Sequence, residues 1–168
     1  MVSLSATREH PKSQLWDEIN RIHAGMLGIH GSPHSMQPMA PQVDEKGETI
    51  WFFAKLGTDI VNDIQPNATA TFCVVGKDHD YHACLSGPVA IRRDPEIIDR
   101  YWSSMVEAWY EGGKDDPELT LIEFRPHSAE IWASTGNVVK LGWEIAKANL
   151  NDDETPDVGL RQHVDFAA

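Results

Sequence analysis

Residues 68–93 read ATATFCVVGKDHDYHACLSGPVAIRR, two runs of alternating apolar character joined by the polar turn GKDHD. A period of two sends one face of each run into a core and the other outward, and so short a turn returns the second run antiparallel to the first. The chain is thereby committed to a long antiparallel pair. Within the second run Gly87-Pro88 reads as a bulge or an edge feature, because Pro removes a ladder donor. Upstream, Ala24–His30 reads as a short strand and Gly31–Ser35 as a turn. Residues 37–53, QPMAPQVDEKGETIWFF, read as two strands joined at Asp44–Glu48, with Gly47 supplying a positive φ. These form an expected meander in which Gln37–Pro41 lies across from the aromatic arm Trp51–Phe53.

Helical periodicity is confined to the spaces between strands. Leu15, Trp16, Ile19, Ile22 and His23 recur at spacings of three and four behind Pro11, predicting an amphipathic helix over about 11–24. Thr58 is placed to cap a short helix that ends at Gln65-Pro66-Asn67. Asp94-Pro95-Glu96 opens a helix, or two with a break, through Tyr110. The loop 111–118 leads into LTLIEFRP and AEIWAS, read as a last strand pair or as one bent strand interrupted at Pro126. A final helix is expected over 137–150, with Val138, Leu141 and Ile145 on one face. Strands that follow strands through short turns, about six of them, describe an α+β, mainly β barrel with peripheral helices. A doubly wound sheet is excluded, since no Gly-rich phosphate loop follows the first strand. The 168 residues make one domain, expected over 1–150, with 151–168 as an acidic tail opening on NDDETPD.

A formal net charge of −12 repels phosphate polymers and anionic membranes, so no nucleic-acid or membrane partner is expected. Cys73 and Cys84 sit in apolar strand-like stretches with no Cys-x-x-Cys spacing and are expected to be free thiols. MVSLSATREHPKSQ lacks an apolar run of signal-peptide length, and no run approaches the roughly 18 apolar residues of a membrane span. A cytoplasmic location is the expectation. His79 and His82 would face opposite sides of a regular strand, so the Asp-rich GKDHDYH stretch is not assigned a metal. No G-x-S-x-G elbow occurs, and Ser86 lies within a strand. Six Trp are read mainly as packing, although Trp102, Trp109 and Trp132 are compatible with an aromatic wall.

Taken in order, QPM (37–39), WFF (51–53), LSGPVAI (85–91), WYEGGKDDPELTLIEFRPHSAEIW (109–132) and NVVKL (137–141) resemble a known set. They are similar to the general stress protein family of the pyridoxamine 5'-phosphate oxidase-like, FMN-binding split barrels, over about residues 12–149. GGKDDPEL ahead of a strand, followed by AEIW, is the most specific part. The resemblance implies a six-stranded antiparallel split barrel and a homodimer with two flavin sites at the subunit interface, holding FMN or FAD. It assigns Gln37, Pro38 and Met39 to the isoalloxazine ring, with Gln37 where many members carry Arg. Phe53 leads toward the phosphate end, where Ala54 replaces a common Thr and Thr58-Asp59-Ile60 replaces Ser/Thr-x-Lys. Lys55 or Lys140 would then serve the phosphate, and Trp132 or the Trp109 loop of a second copy would cover the hairpin. Pyridoxamine-phosphate oxidation itself is disfavoured, because the one Arg pair, Arg92-Arg93 beside Asp94, reads as a solvated charged edge. Three functions follow: a flavin-binding stress protein, an NAD(P)H-linked flavin oxidoreductase, or a cofactor-free dimeric ligand-binding or interaction module.

Overall fold

The computed structural model describes residues 2–134 and 159–166. The alternating runs form β5 (Thr69–Val75) and β6 (Tyr81–Arg92), antiparallel and in unbroken register from Val75 opposite His82 to Thr69 opposite Pro88. Ala70, Phe72, Val74, Tyr81, Ala83 and Leu85 are buried, as the alternation requires.

Along its other edge β6 takes two partners in succession. Residues 81–86 pair with β8 (Ser128–Ser134), and residues 89–92 pair with β7 (Leu119–Phe124). The change of partner falls at Gly87, where a Cβ would stand 2.1 Å from the Arg125 carbonyl oxygen and 2.8 Å from Pro126 Cα. Gly87-Pro88 is therefore no bulge: the glycine admits a crossing backbone, and Pro126 divides a single bent course into β7 and β8. The Arg125 N–H donates to Pro88 O (3.1 Å) and the His127 N–H to Ser86 O (2.9 Å), stitching the crossing.

The expected meander is overturned. β1 (Gly25–Ile29) pairs with β5, and β2 (Gln37–Met39) pairs with β1, placing Pro38 opposite Met26. β3 (Gln42–Asp44) pairs with β4 (Thr49–Lys55), and β4 with β7. The arm read as one strand is thus split at Ala40-Pro41, and of the aromatic arm Trp51 alone pairs with β3, opposite Gln42. Pro41 has no N–H with which to continue the ladder. The sheet runs β2-β1-β5-β6-β7-β4-β3. Its two terminal strands are only three residues apart in the chain, at most about 11 Å, so the sheet must curl until its ends nearly meet. A barrel split between β2 and β3 results. In the turn before β4 the left-handed residue is Glu48 (φ 48°), not Gly47. Gly47 is needed instead because its N–H binds Asp44 Oδ1 and a Cβ would meet that carboxylate at 2.9 Å.

Nine strands are described, against the six expected. The added ones include β9 (Gly159–Asp165), antiparallel to β8, which removes 159–166 from the acidic tail and extends the domain past residue 150. Val164 and Phe166 are buried, and the Phe166 ring lies 5.3 Å from Trp16. The expected 137–150 helix lies outside the described residues. α1 (Leu4–Glu9), absent from the sequence reading, is capped by Ser3. α2 (Pro11–Ile22) ends at a left-handed His23, two residues earlier than expected, and buries Leu15, Trp16 and Ile19 in the main core. Across β4 and β7 a second cluster joins Trp51, Leu119 and Leu121 to Ile97 and Ile98 of α4 (Pro95–Tyr101) and to Tyr110. β4 is therefore covered on both faces, which explains its continuous apolar run.

Candidate functional site

The split leaves a cavity of about 380 Å³ between the β2 end of the sheet and β4. Gln37, Pro38 and Met39 line one side, and Phe53, Ala54, Lys55 and Thr58 line the other. A further wall comes from α5 (Ser104–Glu107) and the segment after it: Met105, Val106 and Tyr110, missed from sequence, and Trp109, which the sequence reading places at the hairpin from a second copy and the structure places there from the same chain. Two phenols pin this helical wall to the strands. Tyr110 donates to Ala54 O (2.9 Å) and Tyr101 to Val43 O (2.9 Å). Burial, followed by the field of Asp116, pushes the Tyr110 phenol up to about 12, so it stays a protonated donor at neutral pH. Trp102 packs between Phe53 (6.0 Å) and Tyr110 (6.1 Å).

The GGKDDPEL stretch holds that wall in place. Asp116 accepts from the Gly112 N–H (3.0 Å) and the Glu118 N–H (2.9 Å), bonds that keep its carboxyl below the usual range. The Arg93 guanidinium donates to the carbonyls of Asp116 (3.1 Å) and Leu119 (3.3 Å). Arg93 is thus a loop clamp, and Arg92, with Arg125, encloses the buried Glu123 at 2.9 and 2.6 Å. Both arginines are exposed at the end of β6, as the solvated-edge reading expects, and they make these structural contacts as well. On the far side, Ser32 Oγ (2.6 Å) and His34 Nδ1 (2.8 Å) both meet Asp63 Oδ2, tying the turn before β2 to the residue after α3 (Asp59–Asn62). These contacts lower Asp63 and raise His34 from their ordinary values.

Lys55 is the lysine of the cavity wall. Its Nζ lies 3.9 Å from Glu118 and 5.6 Å from the Tyr110 ring centroid. Thr58 precedes α3, but its hydroxyl donates back to Lys55 O (2.8 Å) and makes no capping bond to the helix. Trp132 is not at this cavity: it is 41% exposed beside His82 and Arg161, on strands away from Trp102 and Trp109. Lys140 lies outside the described residues. Among the described residues no group of three His, Cys, Asp or Glu side chains is arranged to hold a metal, and no helix is long and apolar enough to cross a membrane.

The profile of the family described as "Pyridoxamine 5'-phosphate oxidase like" matches residues 10–157. General stress protein 26 of Bacillus subtilis (strain 168) is 35% identical over 126 residues, covering 71% of this chain and 86% of that protein. A candidate general stress protein 26 from Jannaschia sp. CCS1 superposes with a TM-score of 0.77 at 36% identity, covering 93% of this chain and 98% of that one. The general stress FMN/FAD binding protein from Xanthomonas citri gives 0.68 at 31% identity, covering 73% and 87%.

Proposed function

The chain belongs to the pyridoxamine 5'-phosphate oxidase-like family, and on that premise we propose that it is a cytoplasmic, homodimeric flavin-binding stress protein, taking FMN with FAD admitted. The observation that carries this reading is the convergence of Gln37–Met39 and Phe53–Thr58, which pair with different strands, on one cavity walled in part by aromatic side chains. Its volume falls within the roughly 300–1,000 Å³ of small-molecule sites. The name of the Xanthomonas citri relative supports the same ligand.

The residues suit a flat, heteroatom-edged ring. Pro38 lies on β2, a terminal strand of the sheet path, where a missing N–H costs no ladder bond. Gln37 offers one amide donor pair and one acceptor to the ring edge. Met39 and Phe53 supply polarizable and aromatic contact. Lys55, with Lys140 as a second candidate, is assigned to the phosphate, since burying a phosphate without a cation is costly. A bound flavin would supply hydride or single-electron chemistry, and the protein would orient it and shield one face. Met105 and Trp109, each 71% exposed at the cavity, and Trp132 are apolar surface that a second copy would cover.

Titrating FMN and FAD against the protein by quenching of flavin fluorescence tests this site. Saturation is expected, with weaker binding in Gln37→Ala and Thr58→Ala. No quenching with either flavin would leave the cofactor-free module. Steady-state reduction by NADH or NADPH then separates an oxidoreductase from a flavin carrier.

A further inference from the structure

Cys73 and Cys84 stand directly opposite one another across the central β5–β6 pair, both free and both partly exposed. Their pairing class follows from the ladder. The Val89 N–H donates to Ala68 O (3.0 Å) and the Gly76 N–H to Tyr81 O (2.6 Å), which fixes the hydrogen-bonded pairs at 68/89 and 76/81. Antiparallel pairs alternate, so 70/87, 72/85 and 74/83 are also bonded, while 71/86, 73/84 and 75/82 are not. Pro88, which has no N–H, falls in the non-bonded series opposite Thr69, as it must. Non-bonded pairs bring Cα atoms to about 4.5 Å, inside the roughly 4.4–6.8 Å that a disulfide spans.

The two cysteines share the outer face of the sheet. Phe72 and Val74, flanking Cys73, point into the core, so Cys73 points outward, between Met26 on β1 and Cys84 on β6. Beyond Cys84 the row continues to Glu130, whose charge is met by Arg161 (2.9 Å) and His163 (2.7 Å). A carboxylate held by two partners opposes a neighbouring thiolate less than a free one would.

We propose that Cys73 and Cys84 form a redox-active dithiol, a site of reversible disulfide formation with low-molecular-weight disulfides. One thiolate attacks a sulfur of the small disulfide, giving a mixed disulfide and releasing one small thiol. The other cysteine then displaces the second small thiol, closing the Cys73–Cys84 bond. Two protein thiols are oxidised, one small disulfide is reduced to two thiols, and the two protons leave with them. Burial, then the contact with Cys84, pushes the Cys73 thiol up to about 12, which makes the exchange faster at higher pH.

The test uses the reduced full chain, without added flavin, incubated with oxidised glutathione and alkylated before denaturation. Intact mass is expected to fall by two hydrogens, with both thiols protected from alkylation, no interchain band on a non-reducing gel, and full reversal by dithiothreitol. Cys73→Ser is expected to stop at a glutathione adduct on Cys84. Thiols that remain free, a stable adduct on the unmodified chain, or an interchain disulfide would each overturn the proposal.

Discussion

Replacing Gly87 with alanine tests the crossing on which the split barrel depends. The new Cβ would sit 2.1 Å from Arg125 O, more than 1 Å short of the 3.4 Å at which ordinary contact begins, and its next neighbours are backbone atoms of Arg125 and Pro126. No side chain can rotate away, so β6 must separate from the β7–β8 junction. Overpacking of this kind costs about 1–3 kcal/mol. The two bonds at the crossing, Arg125 N–H to Pro88 O and His127 N–H to Ser86 O, put about 1 kcal/mol each at further risk. A loss on the order of 3 kcal/mol corresponds to a fall in Tm of roughly 6–12 °C for a chain of this size. Gly159→Ala is the matched control, because among the described residues its Cβ would meet Ala133 O alone, at 3.4 Å. It is expected to stay within about 0.5 kcal/mol of the parent. Thermal melts followed by circular dichroism decide the matter, and a Gly87→Ala protein melting with the parent would refute the reasoning.

Tyr110→Phe removes the donor to Ala54 O and should cost about 1 kcal/mol in urea unfolding; weakened FMN binding should accompany it if the helical wall belongs to the site. Asp94→Ala deletes the side chain that accepts from the Glu96 and Ile97 N–H groups at the start of α4, for an expected loss of about 1 kcal/mol by the same assay. His34 should titrate above its ordinary 6.5 by NMR and return toward it in Asp63→Asn, because the Asp63 contact is the leading cause of its shift. Linkage fixes the sign. The raised His34 contributes stability fully below 6.5 and loses it as pH rises through the folded value. The lowered Asp63 contributes above its ordinary 3.8 and loses it as pH falls through the folded value, so the pair is strongest between the two.

Strong alternation made β5 and β6 legible, and the Asp94-Pro95 signal made the start of α4 legible. What escaped depended on contacts between distant segments. Gln37–Asp44 reads as one strand because nothing local says that its halves pair with different neighbours; only the closure of the sheet divides it at Ala40-Pro41. β9, GLRQHVD, is largely exposed along one edge and so lacks the apolar pattern that marks a buried strand. The site followed the same rule. Gln37–Met39 and Phe53–Thr58, which the resemblance singles out, supply cavity-lining residues, whereas Met105 and Val106 reach the cavity only because Tyr110, Arg93 and Asp116 fix a loop with no strong periodicity. The GGKDDPEL stretch that carried the resemblance thus acts as scaffold behind the cavity. Trp132, grouped with the other tryptophans by composition, lies on a different part of the sheet.

The central claim is that the cavity at the split holds a flavin. The most direct measurement is the visible absorption spectrum of purified protein after incubation with FMN, and separately FAD, and removal of the unbound excess. Retained flavin bands at about one per chain are expected, as for one specific site per subunit, with their loss in Gln37→Ala. A colourless protein under both conditions would contradict this claim and leave Ala54 and Ile60 as the marks of a phosphate site no longer in use.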